Sequence, residues 1–250
     1  MINDFLKKYL KGKSVAGTTN ESNRLKWLET TLKKIPSGSR ILDAGAGELA
    51  QKKYCGHLNY VSQDFGQYNG AGDGKGLQTA AWDNSQLDIV SDITSIPEPD
   101  ASFDAVMCIE VFEHVPDPIS AIKEFSRVLH KNGLLLITAP FCSSTHFAPF
   151  HFYSGFNSYF YKTHLSANGF EILEISENGN FFEYVAQELL RVQFCANKYA
   201  NSKISLIDKI AIMKTVFMLG KLSKRDKGSR EFLNYGFHIL AKKMTDTREN

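Results

Sequence analysis

Residues 39–48 read Ser-Arg-Ile-Leu-Asp-Ala-Gly-Ala-Gly-Glu, an apolar run that leads into a pair of glycines. Gly45 and Gly47 have no Cβ, so the backbone can turn sharply there and a ligand can approach the amides at the start of a following helix. That geometry suits an anionic or carboxylate-bearing nucleotide ligand. We therefore predict a strand, a glycine turn and a helix, the unit from which doubly wound α/β sheets are built.

The rest of the chain alternates between strand-like and helix-like segments. Buried strands are predicted at 40–44, 60–64, 87–90, 103–109, 134–139 and 170–175, and a last strand at 233–242. Helices are predicted from Pro118 to Leu129, ended by Asn132-Gly133, from 154 to 168, capped by Gly169, and twice within 181–222. This alternation favours an α/β fold around a mostly parallel sheet.

Length and composition favour a single domain. The chain has 250 residues, of which 43% are hydrophobic, enough for one sizeable core. We interpret 1–250 as one domain with an N-terminal helical extension at 1–36. A helical insertion or lid is predicted at 181–231, before the last strand, because a segment of about 50 residues makes a marginal core on its own.

The N-terminus and the cysteines bear on the cellular compartment. Residues 1–13 lack the apolar run of a signal peptide, and no segment is apolar enough to span a bilayer. The four cysteines form no Cys-x-x-Cys pair, so reduced thiols are expected rather than a zinc site or a disulfide framework. We therefore predict a cytoplasmic protein.

Charge is nearly balanced overall but uneven along the chain. The formal net charge of +2 gives no global case for a nucleic-acid partner. Residues 198–250, however, carry 12 basic and 5 acidic side chains. Within 203–230, an apolar side formed by Ile204, Ile207, Ile210 and Phe217 lies beside many lysines. We favour a lid or dimer helix there over membrane-surface docking, and a monomer or homodimer fits this interpretation.

Acidic residues after the strands distinguish the nucleotides that the glycine turn could bind. The motif Gly45-x-Gly47-x-x-Ala50 satisfies the dinucleotide fingerprint, and Asp64 ends the second strand, where a carboxylate accepts ribose hydroxyls. Asp43, directly before the glycines, would repel a pyrophosphate but could receive an ammonium group. Asp92 follows the third strand and is placed to accept an adenine amino group.

In order and spacing, these segments resemble the class I S-adenosylmethionine-dependent methyltransferases, and within them the small type 11 group that includes the ubiquinone-biosynthesis O-methyltransferases. The resemblance runs from about Arg40 to Glu174. Its motifs are Leu42-Asp-Ala-Gly-Ala-Gly47, Asp64, Asp92-Ile93, Phe103-Asp104-Ala-Val, Glu110 to Pro118 and Gly133 to Pro140. It implies a Rossmann-like, doubly wound, seven-stranded sheet whose last strand is antiparallel.

By this resemblance the cofactor is S-adenosyl-L-methionine, with the glycine turn and Asp43 at the methionine moiety, Asp64 at the ribose, and Asp92 with Ile93 at the adenine. The residues expected to bind it are Asp43, Gly45, Ala46, Gly47, Asp64, Phe65, Asp92, Ile93, Ile109 and Glu110. The sequence departs from the family in Glu48, where a third glycine is frequent, in the glycine-rich loop 66–84, and in the length of 181–231. These departures concern the substrate class more than the cofactor.

Candidate acceptor-binding residues lie in segments that follow the strands. We expect Trp82, His151 and Tyr153 to line the substrate pocket, and Trp82 could also pack on the adenine. The loop 66–84 that carries Trp82 is interpreted either as a mobile flap or as a plain surface connection.

Two histidines follow the fourth and fifth strands and are candidate general bases. An imidazole titrates near neutral pH, so His151 is the first choice for removing a proton from the acceptor and His114 the second. We expect Glu110 to lie near the methionine amino group and count it with them as a candidate catalytic residue. The alternative is that both imidazoles merely donate structural hydrogen bonds.

Glu110, Glu113 and His114 could form a divalent-metal cluster, or they could position substrate and cofactor without a metal. Three ligands within five residues converge only if the loop curls around the ion, and no further carboxylate partner is evident. We therefore expect no metal site.

The leading functional hypothesis is a methyltransferase that acts on a small-molecule acceptor, most readily a hydroxyl. The sulfonium supplies the driving force, so the protein needs mainly in-line positioning and removal of the acceptor's proton. Two alternatives stay open: an NAD-dependent oxidoreductase, against which Asp43 and residues 110–118 count, and a non-catalytic methyltransferase-like binding module, which would lack an acceptor pocket.

Overall fold

The computed structural model describes residues 15–244, and its centre is a seven-stranded sheet. The strands are β1 Arg40–Ala44, β2 Asn59–Asp64, β3 Ile89–Val90, β4 Phe103–Ile109, β5 Leu129–Pro140, β6 Phe170–Asn178 and β7 Gly236–Lys243. Their order is β3-β2-β1-β4-β5-β7-β6. Strand β1 pairs in parallel with β2 and β4, whereas β7 runs antiparallel to β5. The predicted Rossmann-like sheet with an antiparallel last strand is confirmed.

Five α-helices accompany the strands within residues 15–244. They are α1 Asn20–Leu32, α2 Pro118–Val128, α3 Ser158–Ala167, α4 Phe181–Tyr199 and α5 Leu206–Ser223. The prediction of two helices within 181–222 is therefore confirmed, while most of the expected N-terminal extension before α1 lies outside the described residues. In the part of the chain that is described, no helix is both long and apolar enough to cross a membrane.

The start predicted for α3 was wrong by four residues. The helix begins at Ser158 because the side chain of Asn157 accepts the backbone N–H groups of Tyr159 and Phe160, both at 3.1 Å. This is an ordinary N-cap, which satisfies amides that the first helical turn leaves without partners. Gly155, at φ +150°, keeps the preceding residues out of the helix.

Several strand boundaries also differ from the prediction, by one to five residues. Strand β3 begins at Ile89 rather than 87, because the backbone N–H of Asp88 donates to the hydroxyl of Ser62 at 2.9 Å instead of pairing with a strand. Strand β7 begins at Gly236 rather than 233. Strand β5 begins at Leu129, directly after α2, rather than at 134. It runs through Asn132-Gly133, where the helix was expected to end, and Asn132 has φ +67° within it.

The described chain forms two compact units. The larger, which we call the sheet unit, contains residues 26–176 and 236–244. The smaller, the helical unit, contains residues 15–25 and 177–235 and holds α4 and α5. Its core joins Val216 and Leu219 of α5 to Ala186 of α4 and to Val15.

Helix α2 covers one face of the sheet and illustrates how the sequence specifies its elements. The side chain of Asp117 accepts the N–H of Ser120 at 3.0 Å, and Pro118 occupies the first turn, where its missing N–H is not needed. Ile122 and Phe125, three residues apart, are completely buried against the sheet. The amphipathic spacing thus fixes which side of the helix faces the core.

We expect Phe125→Ala to lower the free energy of unfolding by about 3–5 kcal/mol, because the ring is fully buried and its removal leaves a cavity. Urea unfolding followed by circular dichroism measures this. The matched control is Ile119→Ala on the same helix, whose side chain is 43% exposed and should change stability by less than about 0.5 kcal/mol. Equal effects of the two substitutions would contradict the packing described for α2.

Candidate active site

The glycine turn after β1 is held by the neighbouring strand. The backbone N–H groups of Gly45 and Ala46 both donate to the carbonyl of Gln63, at 2.8 and 2.9 Å. Gly45 has φ +84°, and a Cβ placed on it would lie 2.4 Å from a methyl group of Val111. A Cβ placed on Gly47 would lie 2.5 Å from the ring of Trp82. Both glycines are therefore required by close approach as well as by backbone conformation.

Asp64, at the end of β2, fixes this turn to the loop that follows. Its Oδ2 accepts the N–H of Gly47 at 3.1 Å, and its Oδ1 accepts the N–H of Gly66 at 2.9 Å. Each carboxylate oxygen can accept more than one hydrogen bond, so each retains capacity for a hydroxyl donor. The orientation suits the two ribose hydroxyls that the sequence analysis assigned to this residue.

Asp43 is a buried carboxyl directly before the turn. It is 1% exposed, and its Oδ2 accepts the hydroxyl hydrogen of Tyr60 at 2.6 Å. Burial raises its pKa to about 7, the hydrogen bond from Tyr60 opposes this, and the charge of Asp64 adds to it. The free protein therefore holds Asp43 partly protonated at neutral pH, and a cationic ligand group nearby would favour its ionised form.

The expected adenine and methionine residues lie at the ends of β3 and β4. Asp92 accepts both the N–H and the hydroxyl of Thr94, at 2.8 and 2.7 Å, and its neighbour Ile93 is buried, as is Ile109. Glu110 has φ +56°, and its Oε1 accepts the hydroxyl of Thr138 at 2.8 Å. A carboxylate held in a left-handed backbone at a strand end is typical of a functional position.

Three histidines converge in the sheet unit beyond the ends of β4 and β5. The ring centroids of His114 and His146 are 4.6 Å apart, those of His146 and His151 are 4.7 Å apart, and those of His114 and His151 are 5.9 Å apart. Glu113, 1% exposed, faces two of them: its Oε1 is 3.8 Å from Nε2 of His114 and 3.7 Å from Nε2 of His146. The structure thus brings together His114 and His151, as predicted for the two candidate bases.

The protonation of this cluster follows from its burial and charges. Burial raises the pKa of Glu113, whereas burial and the nearby His146 together lower the pKa of His114 to about 3. Burial also opposes the charge of His146, but its interaction with Glu113 prevails and raises its pKa. Burial lowers the pKa of His151, which is half-buried. His114 and His151 are therefore neutral at pH 7.

The arrangement of Glu113, His114 and His146 fits a divalent metal ion. Their ligand atoms all lie within 4.8 Å of one another. In each histidine Nδ1 lies near a backbone carbonyl, that of Phe150 for His114 (2.5 Å) and that of Ser144 for His146 (2.9 Å), which leaves Nε2 toward Glu113. Metal-binding histidines are commonly oriented in this way. The buried Oε2 of Glu113 meets no hydrogen-bond partner among the described residues.

His146 is the residue that the sequence analysis missed. No metal site was expected because the residues between 110 and 114 had no further carboxylate partner, but His146 adds an imidazole from the segment after β5. Its position soon after the fifth strand, shared with His151, was the signal available in the sequence. One carboxylate and two imidazoles suit zinc or iron(II) better than magnesium, which prefers oxygen ligands.

Aromatic side chains connect the glycine turn to the histidines. The ring of Trp82 contacts Tyr68 and Phe147 at 5.4 Å, and Phe147 stacks on His114 at 5.2 Å. The loop 66–84 is attached to the segment after β5 by backbone hydrogen bonds, such as that from Leu77 to Thr145 at 3.0 Å. The loop is therefore ordered by specific contacts, and Trp82 lies against Gly47.

Two further expected residues lie around the same segment. The ring of Phe65, directly after β2, meets Phe150 edge to face at 4.9 Å. Tyr153 donates its hydroxyl to the carbonyl of Pro116 at 3.0 Å and is 38% exposed. The segment 142–156 is thus anchored both to the end of β2 and to the turn after β4.

Residues 42–137, which run from β1 into β5 and include the glycine turn, Asp64 and Glu110, match a family model described as a methyltransferase domain. The chain carries a class I S-adenosylmethionine-dependent methyltransferase domain. S-adenosylmethionine is the cofactor of this domain. Asp43 and Asp64 place two carboxyl groups beside the glycine turn, an acceptor set that fits the ammonium group and the ribose hydroxyls of this cofactor.

Similar proteins agree with this assignment, but their alignments include only part of this chain and part of each relative. Cycloartenol-C-24-methyltransferase 1 of Oryza sativa subsp. japonica is 30% identical over 122 residues, which is 46% of this chain and 34% of that protein. The ubiquinone biosynthesis O-methyltransferase of Xanthomonas oryzae pv. oryzae is 36% identical over 63 residues, 25% of this chain and 26% of that protein. The chain thus spans about a quarter to a third of the length of these relatives.

A solved structure shows that the fold extends over nearly the whole chain. A protein from Galdieria sulphuraria assigned as a sarcosine dimethylglycine methyltransferase superimposes with a TM-score of 0.53 at 16% identity, covering 97% of this chain and 98% of that one. At such identity the likeness concerns architecture. It supports the seven-stranded methyltransferase fold. It gives no information on the methyl acceptor, which has to be argued from the residues of the site.

We expect Asp43→Asn in the methyltransferase domain to increase stability at pH 8. A carboxyl with a folded pKa of about 7, against 3.8 when unperturbed, opposes folding by about 4 kcal/mol above pH 7. Because the folded pKa is raised, this cost is small near pH 4, grows up to pH 7 and then stays constant. Urea unfolding at pH 5 and pH 8 should therefore show the larger gain at pH 8.

The same variant tests the proposed contact with the methionine ammonium group. Titration calorimetry should show weaker S-adenosylmethionine binding to Asp43→Asn, by about tenfold or more, since an amide replaces a charged acceptor. A variant that gains stability equally at both pH values, or binds as tightly as wild type, would contradict the role given to Asp43.

We expect Asp64→Ala to weaken binding of S-adenosylhomocysteine by about 1.5–3 kcal/mol, because it removes charge-assisted hydrogen bonds and releases the amide of Gly47. Calorimetry on the folded variant measures the loss. Glu171→Ala, which removes an exposed carboxylate from β6, is the control and should bind normally. Unchanged affinity in Asp64→Ala would remove this residue from the cofactor site.

Proposed function

We propose that this chain is a methyltransferase that transfers the methyl group of S-adenosylmethionine to a hydroxyl oxygen of a small molecule. The observation that carries the proposal is the histidine cluster after β4 and β5, connected to the glycine turn through Phe147 and Trp82. A site that removes a proton is needed for a hydroxyl acceptor. The ubiquinone relative supports oxygen as the acceptor atom, whereas the cycloartenol relative is a C-methyltransferase.

In the proposed reaction the acceptor oxygen attacks the methyl carbon as the carbon–sulfur bond breaks. The sulfonium becomes the neutral thioether of S-adenosylhomocysteine, and the hydroxyl proton passes to a base. Asp64 and the glycine turn orient the cofactor, and Asp43 with Glu110 balances its ammonium charge. Alignment of the two reacting centres supplies most of the rate enhancement.

His151 is the proposed base. Its lowered pKa keeps it neutral at pH 7, and it is more accessible than His114, whose side chain is 14% exposed. Nδ1 of His114 is also engaged by the carbonyl of Phe150, so we assign His114 a positioning role. Nε2 of His151 lies 3.2 Å from the hydroxyl oxygen of Ser143, and this contact orients the ring.

A divalent metal ion would be held by Glu113, His114 and His146, and when bound would lower the pKa of an acceptor hydroxyl. Its ligand set lies beside His151, whose ring centroid is 4.7 Å from that of His146. Trp82 and Tyr153 are proposed to line the acceptor pocket, as expected from the sequence. A cytoplasmic location belongs to the same proposal and is supported by four cysteines that form no disulfide.

The alternatives are less consistent with these residues. An NAD-dependent oxidoreductase would place a pyrophosphate near the glycine turn, where Asp43 and Asp64 are both carboxylates. A non-catalytic binding module would not need a buried glutamate and three histidines, since buried ionisable groups cost stability. Binding of NAD in place of S-adenosylmethionine, measured by calorimetry, would favour the oxidoreductase.

The test is methyl transfer from labelled S-adenosylmethionine to a panel of phenols, catechols and sugar alcohols, with and without a chelator. With an acceptor found, His151→Ala should lower kcat by about 100-fold while cofactor affinity stays unchanged. His130→Ala, at an exposed histidine near the start of β5, is the matched control and should keep full activity. A His114→Ala/His151→Ala double variant with near wild-type kcat would exclude histidine as the base.

A further inference from the structure

Helix α5 of the helical unit is apolar around most of its circumference, yet the residues from 15 to 244 cover only one side of it. Val216 and Leu219 are buried in the core of that unit. Large apolar side chains on the outer side are exposed by 38–78%: Leu206, Ile207, Ile210, Phe217, Met218 and Leu222. A contiguous exposed apolar surface of this kind marks an interaction site.

Basic residues are interleaved with this apolar surface. With 3.6 residues per turn, Leu206, Ile210 and Phe217 form one stripe along the helix, and Lys214 and Lys221 lie beside it. Residues 203–225 contain one acidic side chain, Asp208, and six basic ones: Lys203, Lys209, Lys214, Lys221, Lys224 and Arg225. An open groove of about 1030 Å³ runs along this side and is lined by both kinds of residue.

We propose that this face of α5 binds the surface of an anionic lipid bilayer. Apolar side chains can enter the boundary between headgroups and acyl chains, while lysine stems lie along the apolar surface with their ammonium groups at the phosphates. The excess of basic residues supplies the complementary charge. Because α5 is too polar to span a membrane, the binding is peripheral.

A second copy of the chain fits this surface less well. In a two-fold symmetric dimer the same patch faces itself, so Lys214 and Lys221 of one copy would approach the basic residues of the other across an apolar contact. Like charges brought together in this way oppose association. An anionic surface avoids that repulsion, and the same basic residues then contribute favourably to binding.

The test is co-sedimentation of the whole protein with vesicles of phosphatidylcholine alone, and with about 30 mol% phosphatidylglycerol, at about 0.05 and 0.5 M NaCl. We expect binding to the anionic vesicles that weakens about tenfold or more at high salt, and little binding to the neutral ones. Lys214→Glu/Lys221→Glu should weaken binding to anionic vesicles about tenfold or more, and Ile210→Ser/Phe217→Ser should do the same at both salt concentrations.

The matched control is Leu173→Ser/Lys123→Glu, which removes one exposed apolar and one exposed basic side chain from the sheet unit and should bind like wild type. Circular dichroism confirms that each variant is folded. Equal binding to neutral and anionic vesicles, or none to either, would overturn the proposal. So would a stable dimer in light scattering that Ile210→Ser/Phe217→Ser converts to monomer, because a second copy would then cover the face.

Discussion

The carboxylate of Asp64 connects the parts of the cofactor site that the chain supplies separately. One oxygen holds the amide of Gly47 and the other holds the amide of Gly66, so the glycine turn and the following loop are fixed by a single side chain. A carboxylate that accepts two backbone amides is held in one orientation. Because β1 and β2 run parallel and end at the same edge of the sheet, this contact forms whenever the two strands are in register.

Several buried ionisable groups around that edge contribute unfavourably to stability. Asp43 and Glu113 are each about 1% exposed, and burial raises the pKa of both. Core residues of the same sheet, such as Leu42 and Val106, show that apolar packing is available to neighbouring positions. Buried ionisable groups in such a setting indicate a site adapted to charged ligands rather than to maximal stability.

The fold could largely be predicted from the sequence because its signals are local and repeated. Short apolar runs, Pro118 at a helix start and the paired glycines at 45 and 47 each specify structure within a few residues. Boundaries that depend on partners distant in sequence could not be predicted. Asp88 forms hydrogen bonds with Ser62 and shortens β3, and a pattern search limited to neighbouring residues has no access to that contact.

The parts of the candidate site that could be predicted are the residues at or just after the carboxyl ends of strands. Asp43 and Asp64 lie at the ends of β1 and β2, and His151 lies in the segment after β5, so their position at one edge of the sheet follows from the topology. The Glu113–His146 pair joins residues 33 apart, with a long β-strand between them. Only the path of the segment after β5 decides that His146 reaches Glu113, and that path depends on backbone bonds to the loop 66–84.

The helical unit is assembled from two parts of the chain that are far apart in sequence. Glu183 accepts the backbone N–H of Gly17 at 3.0 Å and the hydroxyl of Tyr235, also at 3.0 Å. Gly17 precedes Glu183 by 166 residues, which corresponds to roughly 10–30 s of synthesis at ordinary ribosomal rates. Throughout that interval Val15 and Ala16 lack the core they later join, so they are available to chaperones and proteases. The completion of this unit is therefore expected to be a late step of folding in the cell.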